Sequence, residues 1–179
     1  MKTKTHELSI SGEVLQRGFW LYIWEIQTPK PNHLYYVGRT GDSSSSNAQS
    51  PFNRMGQHLG FHKNSNVLRR HLEEKNIDPQ TCSFRLIAHG PILKEAKTND
   101  QHKKRRDSIA AMEKALADEM TASGYDVINA VKCRMKLDVN NYAPVRAAFA
   151  LHFKRLCRKS LKYSLNKKIN IPHSKPTVN

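Results

Sequence analysis

The sequence predicts an α/β fold: a small mixed, largely antiparallel three-stranded sheet flanked by helices, continued by a basic C-terminal helical extension. Three observations carry this. Two aromatic and branched runs, 19–26 and 34–38, flank a short segment containing Pro29 and Pro31, the pattern of a hairpin. A third apolar run over 82–88 precedes a long segment, 103–122, whose apolar residues recur at helical spacing. Charge is also uneven, since residues 1–130 hold 18 basic and 14 acidic side chains, whereas 131–179 hold 12 basic ones and a single acid, Asp138. The chain therefore reads as a nearly balanced core, 1–131, and a basic appendage, 132–179. Its 179 residues are enough for a real hydrophobic core.

Taken in order, the hairpin joins Phe19–Ile26 to Leu34–Gly38. If Trp24 pairs with Leu34, antiparallel register puts Tyr22 opposite Tyr36, with both phenols on one face. Residues 41–49 are small and polar and read as a loop, which Ser50-Pro51 ends by supplying an N-cap and a proline at the first helical position. That helix carries Arg54 and His58, one turn apart. A second helix is expected over Asn66–Lys75 with Val67, Leu68, His71 and Leu72 inward, then a third strand, Cys82–Ala88, ended by His89-Gly90-Pro91. In the long helix Ile109, Met112, Leu116 and Met120 form the buried stripe. Glu113 falls on or beside that stripe, a costly place for a carboxylate. Asn129 should end a short extended segment. The appendage predicts a helix from Pro144 to Lys168 with Phe149, Phe153, Leu156 and Tyr163 along one face, and Lys154, Arg155, Arg158, Lys159 and Lys162 around the remainder.

Thirty Lys and Arg against fifteen Asp and Glu give a formal net charge of +15, which favours a polyanion through counterion release. Nucleic acid is the first candidate partner. A membrane surface is the rival, but there is no apolar run long enough to span and no apolar signal core after Met1, so a soluble cytoplasmic protein is expected. The three cysteines, Cys82, Cys133 and Cys157, contain no C-x-x-C pair and argue against a disulfide framework.

Trp20-Leu21-Tyr22, Tyr36-Val37-Gly38, Arg54, His58, Glu113 and Asn129, in that order, resemble the GIY-YIG nuclease superfamily over roughly residues 19–130. Arg39 matches the basic residue that often follows the second tripeptide, and His58 matches a histidine found in members similar to restriction endonucleases. Trp20 departs from the family, which most often has glycine there. The resemblance implies a DNA endonuclease, with RNA as substrate left open, in which Glu113 holds one Mg²⁺ or Mn²⁺ ion. It further implies Tyr22 as general base, Tyr36 ordering water or phosphate, His58 accepting the phenolic proton, and Arg39 favouring the phenolate. Arg54 would neutralise charge at phosphorus, and Asn129 would act either in catalysis or as scaffold. The basic appendage would bind DNA phosphates. Restriction-like double-strand cleavage by a homodimer is the leading form, a structure-specific repair or mobile-element nuclease is a second, and a noncatalytic nucleic-acid-binding protein is the alternative from another class.

Overall fold

The computed structural model describes residues 3–42, 47–62 and 66–157. The chain is mixed α/β, as expected, but the sheet has four strands rather than three. β1 (Phe19–Gln27) and β2 (His33–Arg39) form the hairpin, followed by α1 (Pro51–Leu59), α2 (Val67–Glu74), β3 (Ser83–Leu93), α3 (Asn99–Ala122), β4 (Asp126–Val127) and α4 (Val139–His152). Strand order is β3-β1-β2-β4, antiparallel except for the β2–β4 pair.

The hairpin register differs from the expected one by two residues: Trp24 faces Tyr36, and Tyr22 faces Gly38. The loop explains the difference. Pairing Trp24 with Leu34 would bring Pro31 into the ladder, where it has no N–H to give. The ladder instead closes at Gln27 and His33, and the Thr28 hydroxyl ties the loop by contacts to the carbonyls of Lys30 and Asn32 at 3.1 and 3.3 Å. A shift of two keeps every side chain on its face. Tyr22 and Tyr36 therefore still share one, as diagonal neighbours rather than as a facing pair.

Both faces of the sheet are buried, which is why β1 reads as a continuous apolar run instead of alternating. On one face Leu21, Ile23, Tyr35 and Val37 pack with Ile109, Met112, Leu116 and Met120 of α3 and with Val145 and Phe149 of α4. On the other, Tyr22, Trp24, Ile26, Leu34 and Tyr36 pack with Leu68 and Leu72 of α2. Val67 and His71, expected inward, are only half-buried.

Helix starts follow their caps. Ser50 accepts from the Asn53 N–H at the head of α1, and Thr98 accepts from that of Gln101 at the head of α3. Two boundaries move. β3 does not stop at His89-Gly90-Pro91 but runs on to Leu93, because Gly90 takes φ +151° and lies against the Trp20 ring, where a Cβ would collide. A strand at the sheet edge also tolerates the missing N–H of Pro91. The appendage helix begins before Pro144, at Val139, capped by Asp138, whose carboxylate accepts from the N–H groups of Asn140 and Asn141; it breaks at Phe153, helical residues resume over 154–157, and the rest of the expected helix to Lys168 lies outside the described residues. Pro144 is thus inside α4. Phe153 and Leu156 are buried in the core shared with α3, while Arg158, Lys159, Lys162 and Tyr163 lie outside the described residues. No helix among the described residues is long and apolar enough to cross a membrane.

Candidate active site

Gly38 shows how the two tripeptides fit together. Opposite it in the register stands Tyr22, and a Cβ at Gly38 would overlap the ring and hydroxyl of that tyrosine. The glycine is required by close approach, since only a residue without a side chain lets the phenol lie across β2. The Tyr22 hydroxyl thereby reaches the Arg39 carbonyl at 3.2 Å and His58 Nε2 at 2.6 Å. His58 comes from α1, is 1% exposed, and sits edge-on to the Tyr36 ring at 5.0 Å between centroids. Trp20, the departure from the family pattern, is accommodated by Gly90 and by exchanging hydrogen bonds with Thr40: its N–H donates to Thr40 Oγ1 at 2.8 Å, and its carbonyl accepts from the Thr40 N–H at 3.0 Å.

Arg54, one turn before His58, is held from two sides. Its Nη1 donates to Gln57 Oε1 at 3.0 Å and its Nη2 to Asp42 Oδ2 at 2.9 Å, leaving Nε buried without an acceptor. Arg39 repeats the pattern: Nε donates to Glu113 Oε2 at 2.8 Å, and Nη1 is buried without an acceptor. His58 Nδ1 also lacks a partner. Three nitrogens, two of them guanidinium donors, are thus buried without a partner, and a buried unsatisfied donor costs about 1–3 kcal/mol or more, which a bound anion would relieve at the two guanidinium groups.

Burial dominates the electrostatics. Burial raises the pKa of Tyr22 well above that of a free phenol, opposed mainly by Arg54, and raises that of Tyr36 likewise, with the Glu113 charge next in importance. Burial, with Arg54 as second cause, pushes His58 down to about 3. Burial also pushes Glu113 up to about 7 against the opposing pull of Arg39. Both tyrosines and His58 are therefore neutral near pH 7. The cation coupled to the Tyr22 phenol is Arg54, not Arg39 as the resemblance implied. Arg39 meets that phenol only through its main-chain carbonyl and directs its guanidinium to Glu113.

Glu113, 14% exposed at its side chain, is suited to a divalent ion: its burial already demands a positive neighbour, and carboxylate oxygen is the hard donor such an ion prefers. Among the described residues no three His, Cys, Asp or Glu side chains form a group able to hold a metal ion. Phosphate and water would have to complete the coordination.

The structure thus brings Tyr22, Tyr36, Arg54 and His58 into one cluster, with the Arg39–Glu113 pair electrostatically coupled to it. Asn129 is spent elsewhere. Its Oδ1 accepts from the Val37 N–H at 3.0 Å and its Nδ2 donates to the Val37 carbonyl at 2.7 Å, extending the β2–β4 ladder by a side chain. Lys154 is exposed, and Arg155 stacks on Tyr125 at 4.2 Å and donates to the Gly124 carbonyl at 2.5 Å. Sequence reasoning missed Asp42 and Gln57, the two groups that orient Arg54. Gln57 could have been found from its i,i+3 spacing on the helix; Asp42 belongs to the loop and carries no such signal. Comparison of the chain with protein-family models, curated proteins and solved structures returned no match.

Proposed function

We propose that this chain is a metal-dependent endonuclease hydrolysing DNA phosphodiester bonds on a GIY-YIG-like plan. The observation that carries the reading is the buried 2.6 Å contact between Tyr22 and His58, two residues 36 positions apart, beside guanidinium donors that lack acceptors. A core tyrosine does not need a second buried titratable group, whereas a proton relay does.

The low basicity of His58 is a property of the substrate-free site. A phosphodiester beside Arg54 offsets the charge that, with burial, holds the imidazole neutral, and its own negative charge favours imidazolium. Tyr22 then takes a proton from the attacking water while passing its own to His58 Nε2, so the phenol need never exist as free phenolate. Arg54, with Nε and the groups now spent on Asp42 and Gln57, stabilises charge at phosphorus, a task suited to a planar fork of donors. Tyr36 orients the water or a phosphate oxygen. Mg²⁺ or Mn²⁺ held by Glu113 would supply stabilisation of the phosphate and the leaving 3′ oxygen. Asn129 acts as scaffold, holding β2 straight at Val37, one residue before Gly38. The histidine one turn after the arginine favours the restriction-like form, cutting both strands as a homodimer.

The test is incubation of purified protein with mixed-sequence plasmid and Mg²⁺ or Mn²⁺, followed by sequencing of the ends. Metal-dependent cuts lost in Glu113→Gln, with DNA binding retained, support the enzyme. Absence of cleavage by wild type on duplex, branched and single-stranded substrates sinks it and leaves a noncatalytic binder. Recurrent ends mean sequence recognition; scattered ends mean a nonspecific cutter.

A further inference from the structure

The geometry points to a second surface for the same polyanion: the strap from Lys94 to Lys97 and the amino-terminal half of α3, along which a DNA strand's phosphates run toward Glu113. This rests on the nuclease reading and names the surface by which that site holds its substrate.

The argument begins with which end of the sheet carries the chemistry. Antiparallel pairing sets Leu21 against Arg39 and Phe19 against Leu93, so the start of β1 and the ends of β2 and β3 share one end. Tyr22, Gly38 and Arg39 belong to that end. β3 delivers the chain there, and α3 begins beside it, with the rings of Phe19 and His102 at 5.1 Å. The opposite end is the β1–β2 loop. There Arg155, drawn from the basic appendage, lines a hollow with Pro31, Asn32 and His33, and its guanidinium is taken up by Gly124 and Tyr125. Arg155 is thus poorly placed to hold the strand being cut.

Residues 94–106 carry six basic and two acidic side chains. One acid, Glu95, is paired with Arg17 at 2.9 Å. Lys94, Lys97, Lys103 and Lys104 are exposed, and none makes an ion pair among the described residues. The strap is fastened rather than loose, because Arg105 Nη1 donates to the carbonyls of Lys94 and Glu95 at 2.6 and 2.8 Å. Arg106 stands seven residues before Glu113, within about 20° of it around the helix and about 10 Å along it, and its acidic contact is its own neighbour Asp107 at 3.3 Å. Lys103 lies about 15 Å from Glu113 along the axis. At ~3.4 Å of rise per phosphate on one strand, that interval holds about four phosphates.

The test is a salt titration of binding by the full chain to a labelled 30-bp duplex in EDTA, where cleavage cannot intervene. In Lys94→Gln/Lys97→Gln/Lys103→Gln, whose sites are all exposed and whose folding is checked by circular dichroism, the slope of log K against log salt should fall by about 2–3, at ~0.9 per lost phosphate contact. Lys30→Gln, at the loop end, should leave the slope unchanged. An unchanged slope in the triple variant, or an equal change per lysine at Lys30, overturns the proposal while leaving the active site untouched. Failure of wild type to bind duplex at any salt concentration removes the nuclease reading and this surface together.

Discussion

Asn129→Ala separates scaffold from catalyst. Its amide satisfies both polar groups of Val37, a residue with no exposed surface. Truncation strands one donor and one acceptor. At about 1–3 kcal/mol for each buried group left unpaired, and with some water reaching this half-buried edge, the expected loss is about 2–4 kcal/mol. For a chain of this size that lowers Tm by roughly 4–16 °C. Urea denaturation followed by tryptophan fluorescence should show a lower midpoint at unchanged slope. Asn129→Asp sharpens the test: its carboxylate still accepts from the Val37 N–H but confronts the Val37 carbonyl with a second acceptor. It should therefore cost at least as much near neutral pH and recover in part where the acid is protonated. A loss below about 1 kcal/mol in Asn129→Ala, together with abolished DNA cleavage at a temperature where the variant is folded, would refute the scaffold role and return Asn129 to the chemistry.

Gly38→Ala should cost about 1–3 kcal/mol by overpacking against the Tyr22 ring and break the Tyr22–His58 contact, visible as an altered near-ultraviolet circular dichroism band. Ser50→Ala removes the cap of α1 and should cost about 1 kcal/mol by denaturant titration, with a larger fractional effect on cleavage than on duplex binding because the same turn carries Arg54. Two groups should oppose each other in the pH dependence of stability. Glu113, raised to about 7 when folded, binds more protons in the native state, so its contribution falls as pH rises from about 4.5 to 7. His58, lowered to about 3, binds fewer, so its contribution is lost as pH falls from about 6.5 to 3. Glu113→Gln should make stability rise more steeply with pH between 5 and 6.5, and His58→Gln should make it fall; denaturation midpoints in which both variants track wild type would contradict these environments.

Much of this arrangement is legible in the chain because it depends on local rules. Ser50-Pro51 marks the start of α1, the Ile109–Met120 stripe marks the buried face of α3, and Glu113 stands out as an acid at its edge. Period-two alternation puts Tyr22 and Tyr36 on one face whatever even register the hairpin takes. The register itself was not legible, since it was decided by Pro31 being excluded from the ladder and by Thr28 closing a wider loop. Nor was the end of β3, because a glycine that usually breaks a strand here makes room for Trp20.

By itself the sequence determined the α/β class, the start of α1, the buried face of α3 and the candidate residues, because caps, turn residues and apolar periods act over a few positions. Only the tertiary structure decided which partners those residues have. It joined Tyr22 to His58, turned Arg39 toward Glu113, bound Arg54 to Asp42 and spent Asn129 on Val37. Each of these depends on which atoms burial leaves without water, and that is settled when distant elements pack together.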